Sequence, residues 1–436
     1  MSPSQLPSLP EVHRSLSIPS KPGFWRKLIA FAGPGYLVAV GYMDPGNWAT
    51  DLAAGSKYNY ALLSVILMSG ISAMFLQYLA LKLGIASGKD LAQLCRREYG
   101  KTASIPLWIF AEIAIAACDL AEVIGSAIAL NLLFHLHLMA GVIITTLDVL
   151  LLLMLQQKGF RYIEALVITL IATIAFCFGL EILFSKPDLI PILHGFIPSP
   201  SIVTDHEMLF IAIGILGATV MPHNLYLHSS IVQTRSYPLD QVGKREAIRF
   251  ASIDSNIALF IALLINAAIL ILAAATFYRS GRTNVAEIQE AYKLLTPMLG
   301  VTGASTLFAI ALLAAGQNST LTGTLAGQIV MEGFLQIKIQ PWMRRMITRL
   351  IAVVPAVLVL AICGDGATTH LLLISQVILS MQLSFAVVPL VQFSGNKRIM
   401  GEFVNARWIR LVGWLMALII GGLNAWLLII QFHSGF

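Results

Sequence analysis

The sequence predicts an all-α integral membrane protein of eleven transmembrane helices, ten of them forming two inverted repeats of five, with helices 1 and 6 discontinuous. Three observations predict it. Hydrophobic residues make up 57% of the 436 positions and charged residues 11%, whereas a soluble domain carries roughly 25% charged residues. Apolar runs, each near the ~20 residues needed to cross a bilayer, recur along the chain. Two of these runs, the first and the sixth, are interrupted by proline in the same local pattern.

Taken in order, residues 1–27 are Ser/Pro-rich and lack the charged-then-apolar pattern of a cleaved signal, so a short, disordered cytoplasmic tail is expected. The apolar runs fall near 28–54, 59–84, 103–134, 138–156 and 161–184, then 207–234, 248–278, 298–320, 346–363 and 368–392, and last 411–431. The fourth is the shortest. The first repeat therefore covers 28–184 (helices 1–5) and the second 207–392 (helices 6–10), with an additional helix 11 within 406–436.

Charge fixes the orientation. The net charge is +6, and the basic residues cluster in alternate loops: Arg96, Arg97 and Lys101; Lys158 and Arg161; Arg235, Lys244, Arg245 and Arg249; Lys338, Arg344 and Arg345; Lys397, Arg398, Arg407 and Arg410. The positive-inside rule puts these loops and the N-terminus in the cytoplasm and the C-terminus outside. The basic balance thus requires no nucleic-acid partner. The four cysteines are scattered without a CxxC spacing, which argues against a disulfide framework or a thiolate metal site.

The first interruption is Gly41–Tyr42–Met43–Asp44–Pro45–Gly46–Asn47. A carboxylate at that depth is costly unless a partner or water relieves it. Pro45 removes a backbone donor, so carbonyls near Gly41–Asp44 lose their helical partners. Such backbone is tolerated at membrane depth only where it is buried in protein or lines a polar cavity, which points to a cation site. The second interruption is Gly217–Ala218–Thr219–Val220–Met221–Pro222–His223–Asn224, with its Pro and Asn in register with Pro45 and Asn47, 177 residues earlier. Corresponding broken helices in two halves point to a midplane binding site.

Asp44 and Asn47 offer a carboxylate and an amide oxygen, Met221 a thioether, and the backbone near Gly41 and Ala218 free carbonyls. A thioether adds nothing for Ca²⁺ or Mg²⁺ but suits Mn²⁺, Fe²⁺, Co²⁺ or Cd²⁺. Core filler is the alternative reading of Met221, and a helix cap that of Asn47. His223 is read as a proton carrier or gate, with a ligand or a satisfied polar side chain as alternatives. In the third run Glu112, Asp119 and Glu122 share one helical face. Arg349 in the ninth is their intramembrane counter-charge. This stripe reads as a proton route or as a static ion-pair lock. Gln376 either reaches the cavity or makes a plain interhelical hydrogen bond, as does Gln382. His228 is left open, Asp51 is placed to attract cations at the outer mouth, and Asp148 and Glu181 have no assigned partner. The sequon Asn318–Ser319–Thr320 lies inside the eighth run and is disregarded.

These residues resemble those of the Nramp (natural resistance-associated macrophage protein) divalent-metal transporters. The resemblance rests on Asp44–Pro45–Gly46–Asn47, on Met221–Pro222–His223 and on Gly316 through Thr324, with Gly327–Gln328 and Met331–Glu332–Gly333. It covers essentially the whole chain after residue 24. It implies a leucine-transporter-like fold, alternating access, and import of Mn²⁺ or Fe²⁺ with protons. By resemblance Asp44, Asn47 and Met221 are metal ligands, Gly41 and Ala218 give carbonyls, and Gln376 joins in closed states. Glu112, Asp119, Glu122, His223 and Arg349 map to the family's proton pathway; His228, on the same helix half as His223, is counted with them as a candidate. Gly41 stands where some members have Ala, an exchange that is harmless if only its carbonyl is used. Retention of Met221 argues against a Mg²⁺-moving relative of the family.

The expectation is therefore a proton-coupled importer of Mn²⁺ and/or Fe²⁺, also taking Cd²⁺ and Co²⁺ and excluding Ca²⁺ and Mg²⁺, in a bacterial plasma membrane. It needs no cofactor, performs no enzyme chemistry, is surrounded by lipid, and is expected to function as a monomer. A sodium-coupled amine carrier would not need a Met beside an Asp. A channel with an acidic ring fits two inverted breaks poorly.

Overall fold

The computed structural model describes residues 7–19, 23–145, 159–283, 285, 287–336, 341–363 and 368–434. The principal helices are α1 (Phe24–Phe31), α2 (Pro34–Val40), α3 (Pro45–Tyr58), α4 (Leu63–Ser87), α5 (Leu91–Phe134, kinked at Gly100 where φ is 73°), α6 (Phe160–Ser185) and α7 (His206–Thr219). They continue with α8 (Pro222–Ile231), α9 (Gln241–Thr276), α10 (Ile288–Leu299), α11 (Ala304–Leu335), α12 (Pro341–Cys363), α13 (Thr368–Ser394) and α14 (Arg407–Ser434). Among the described residues, the only sheet is a parallel pair of two-residue strands, Leu16–Ser17 beside Arg235–Ser236.

Both expected breaks are present, and for the same local reason. A residue before proline is driven out of the α region. Asp44 is extended at φ −68°, ψ 162°, and Met221 at φ −71°, ψ 122°. Each proline then occupies the first helical position, where its missing N–H costs nothing. A 3₁₀ turn, Gly41–Met43, links α2 to the first break. The first run also breaks earlier, between α1 and α2 at Ala32–Gly33, which the sequence reading passed over. Gly33 sits at φ 137°, and a Cβ there would collide with the Glu164 carboxylate, so only glycine fits.

Packing puts these breaks at the centre. α5 and α11 lie along each other, α9 lies against α2, α3 and α4, α13 packs on α5 and α7, and α8 sits between α4 and α11. All residues from Leu37 to Ser56 and from Gly217 to Arg235 are buried. No polar group of either break therefore faces lipid.

By length and composition, seven stretches among the described residues are suited to cross a membrane: 63–87, 91–134, 160–185, 206–234, 241–280, 371–394 and 407–426. The first run falls short because it is divided into three helices. α11 is long enough, but its middle is rich in amides and hydroxyls, from Gln317 to Thr324. Most of α11 is interior, so it does not need an apolar exterior. The fourth run is helical over 138–145, and its remainder, with Asp148, lies outside the described residues.

The tail departs from expectation. Instead of disordered chain, residues 8–17 fold back against the body of the protein. Leu9 and Val12 are buried, and the Ser8 hydroxyl donates to Asp90 at 2.6 Å. The segment holds too few apolar residues to register in composition, and its order comes from tertiary contacts.

Candidate metal site

The carboxylate at the first break is held from several directions. Asp44 caps α3: its Oδ1 accepts the Asn47 backbone N–H at 2.9 Å and the Asn47 amide Nδ2 at 2.6 Å. Gln376 Nε2, arriving from α13, donates to Asp44 Oδ2 at 3.3 Å. Asn47 Nδ2 also donates to the carbonyl of Ala218 at 3.1 Å, across to the second break. Met221 Sδ comes up to Gly41, where a Cβ would sit 3.2 Å from the sulfur. Asp44, Asn47, Met221, Ala218, Gly41 and Gln376 thus converge, and Asp44, Met221 and Gln376 are sealed from solvent.

The donor set is one carboxylate oxygen pair, amide and carbonyl oxygens and a thioether, without a His/Cys cage. Among the described residues, no three His, Cys, Asp or Glu side chains are grouped to hold a metal. Such a set has the donors to hold a divalent ion without the tight grip of a His/Cys cage. The amide of Asn47 now stands between Asp44 and the Ala218 carbonyl, donating to both. To admit a cation, it must turn its Oδ1 inward and so exchange donor for acceptor.

At Gly41, a Cβ would meet the terminal amide of the Asn224 side chain, so an alanine there calls for Asn224 to shift its amide end. Asp51 is buried at 1% exposure and does not face an open outer mouth.

The acidic stripe is brought beside the second break. Glu122 Oε1 accepts from Ser319 Oγ at 2.7 Å and from Cys118 Sγ at 3.3 Å, and Cys118 Sγ lies 3.9 Å from His223 Nε2. Asp119 and Glu122 both flank Gly323 of α11, whose missing side chain leaves them room. Glu112 accepts from Trp108 Nε1 at 2.9 Å. Glu112 and Asp119 line a cavity of about 320 Å³ together with Ile351 and Pro355 of α12. Arg349 is on that helix, and its side chain lies outside the described residues.

His228 is placed elsewhere. Its Nδ1 meets Gln77 Oε1 at 2.9 Å, and Gln77 Nε2 donates to the Tyr42 hydroxyl at 2.8 Å. Asn266 of α9 completes this support, donating to the Tyr42 carbonyl at 2.7 Å and lying 3.4 Å from Asn47 Oδ1. Sequence reasoning missed Gln77 and Asn266; the available signal was an amide inside an otherwise apolar run. It also missed a buried charge cluster around the Ala32–Gly33 break. Arg235 pairs with Glu164 at 2.6 Å and donates to the Ala32 carbonyl, Arg161 bonds Glu164 at 3.0 Å, and Asp254 accepts the Gly35 N–H at 2.7 Å. Outside the spans, Asp205 caps α7, and the Met208 and Glu207 backbone N–H groups hold its carboxyl below the usual range.

Comparison with known proteins places the chain in a family. The family model for natural resistance-associated macrophage protein-like proteins (Nramp) matches residues 35–430. The chain is 62% identical over 427 residues to the divalent metal cation transporter MntH of Nostoc sp., covering 98% of this chain and 97% of that protein. It is also 62% identical over 422 residues to the Listeria monocytogenes protein of that name, covering 97% of this chain and 94% of the relative. The crystal structure of the Eremococcus coleocola manganese transporter, bound to an aromatic bis-isothiourea compound, superposes with a TM-score of 0.90. The two are 42% identical, over 96% of this chain and 90% of that one. The nucleobase-cation symporter Mhp1 in its closed conformation shares the fold at a TM-score of 0.60 and 14% identity. With its two proline-opened helix starts facing one another, the chain belongs to the Nramp family.

Proposed function

We propose that the chain is a secondary transporter that imports a divalent transition metal ion, Mn²⁺ first among them, together with protons. Fe²⁺, Cd²⁺ and Co²⁺ fit the same donors; Ca²⁺ and Mg²⁺ are disfavoured by the thioether. The observation that carries the reading is the meeting of Asp44, Asn47, the Ala218 carbonyl and Met221 at two helix breaks inside a buried core. The names of the relatives point the same way. Eleven spans in a five-plus-five inverted arrangement, with the N-terminus inside a bacterial inner membrane, fit the loop charges.

In this scheme the metal displaces the two amide N–H groups that now satisfy Asp44. Asn47 and Gln376 turn their oxygens to it, the Ala218 and Gly41 carbonyls fill the shell, and Met221 supplies selectivity. Protons travel by His223, Glu122, Asp119 and Glu112 with Arg349 as counter-charge. His228 acts through Gln77 on Tyr42 instead, holding the unwound turn. Each charge moved inward gains about 2.3 kcal/mol per 100 mV, so a divalent ion with one proton is driven by about 7 kcal/mol per 100 mV. Alternating access follows from rocking one group of helices against the other.

The test is Mn²⁺ uptake into proteoliposomes, with lumenal pH recorded and excess Ca²⁺ and Mg²⁺ outside. Uptake that resists both ions and acidifies the lumen is expected. Inhibition by Mg²⁺ would remove the role given to Met221, and uptake without acidification would remove the proton pathway.

A further inference from the structure

The N-terminal segment makes more contacts than an inert tail needs, and they fall on two different groups of helices. At one end, Ser8 Oγ donates at 2.6 Å to Asp90, which caps the short first segment of α5 before its kink at Gly100, and the Leu9 N–H donates to Glu332 of α11 at 2.9 Å. Gln328, one turn earlier on α11, donates to Glu11 at 3.0 Å. At the other end, the segment is stitched to the chain leaving α8. The Arg14 N–H donates to the Gln233 carbonyl at 2.9 Å, and the Arg14 guanidinium to the Tyr237 carbonyl at 2.8 Å. Leu16 and Ser17 pair in parallel with Arg235 and Ser236. Leu9 is 1% exposed and Val12 7%, so the middle of the segment is buried among these elements.

The two anchor points have different mechanical roles. α8 is the second half of the second broken helix, on the inner side in the transport reading, and has Met221 as its N-cap residue. α5 and α11 pack along each other as the most extensive helix pair among the described residues. Rocking of the broken helices against such a pair is the motion that would open the inner side. A strap fixed to both must lose one set of contacts when they part.

We propose that residues 8–17 form a clamp that holds the inner side closed by tying the end of α8 to α5 and α11, and that leaves one anchor when the inner side opens. The clamp rests on the transport reading above. Charge-assisted hydrogen bonds to Asp90, Glu11 and Glu332 give it polar grip, and Leu9 and Val12 give it apolar burial.

Cys118 is a natural reporter: it is buried, 3.9 Å from His223, and packs with Met221. In full-length chain with Cys95, Cys177 and Cys363 replaced by Ser, alkylation of Cys118 by N-ethylmaleimide is followed in inside-out vesicles. Two variants are compared with this parent: removal of residues 1–17, and the double substitution Leu9→Asp with Val12→Asp. Each is expected to raise the alkylation rate roughly tenfold, the population change equivalent to losing a buried apolar contact. Alkylation from the outer face in right-side-out vesicles should not rise. Unchanged inner alkylation in a folded variant overturns the clamp; the double substitution supplies that answer if the truncation does not fold. Mn²⁺ uptake by the parent in the same vesicles tests the transport reading separately. If the parent takes up metal while neither variant exposes Cys118, the clamp alone fails.

Discussion

The two helix breaks are alike in backbone and opposite in how well they satisfy themselves. At the first, Asp44 caps its own helix, Trp48 donates to the Met43 carbonyl, and Asn266 and Gln376 donate to the Tyr42 carbonyl and the Asp44 carboxylate. The break's own groups are thus met, and the unpaired atoms are the outlying Asn266 and Gln376 amide oxygens. At the second, Met221 gives no cap, and the Thr219 hydroxyl, His223 Nδ1 and Asn224 Oδ1 are buried without hydrogen-bond partners. Buried polar groups are normally paired, so such a cluster in one turn marks the side that awaits something. The first break offers a carboxylate held by three donors. The second offers a thioether and polar groups still unpaired.

That contrast can be broken in order of expected effect. Asp44→Ala removes the one carboxylate at the site and should abolish Mn²⁺ binding in calorimetry. Loss of outer-shell partners alone costs roughly 10–100-fold in metal affinity, and loss of the anionic ligand must exceed it. Retained affinity would show that the first break is not the charged half. Asp119→Asn should leave Mn²⁺ binding within a few-fold yet uncouple lumenal acidification from uptake; intact coupling would make the stripe a scaffold. Met221→Ala should hold Mn²⁺ uptake while letting Ca²⁺ or Mg²⁺ compete on the order of tenfold better. Competition unchanged from the parent would mean the sulfur is packing. Asn266→Ala should weaken Mn²⁺ binding by roughly tenfold through loss of support to Tyr42 and Asn47. A larger loss than that of Asp44→Ala would reverse the ranking of anchor and support.

Much of this was legible in the sequence because membrane depth makes exceptions conspicuous. A proline beside an Asp, or a Met-Pro-His, inside twenty apolar residues cannot be ordinary helix, and both breaks appear at the expected residues. Gln376 was legible only as one of two amides in its run, because helical spacing does not say which side meets Asp44. Asn266 and Gln77 carried no local pattern at all; their meaning lies in what α9 and α4 bring them to. The Gly33–Pro34 step held a turn signal that the length of the first apolar run obscured. The buried tail was illegible for the converse reason: Ser8 and Leu9 are held by Asp90 and Glu332, more than eighty and three hundred residues away.

The central claim is that one ion is held jointly by both breaks. Diffraction from crystals grown with Mn²⁺, recorded at the manganese absorption edge, tests it most directly. The account predicts a single anomalous peak in bonding contact with the Asp44 carboxylate, the Asn47 amide, the Ala218 carbonyl and the Met221 sulfur. A peak held by Asp44 without Met221, or among Glu112, Asp119 and Glu122, would contradict it.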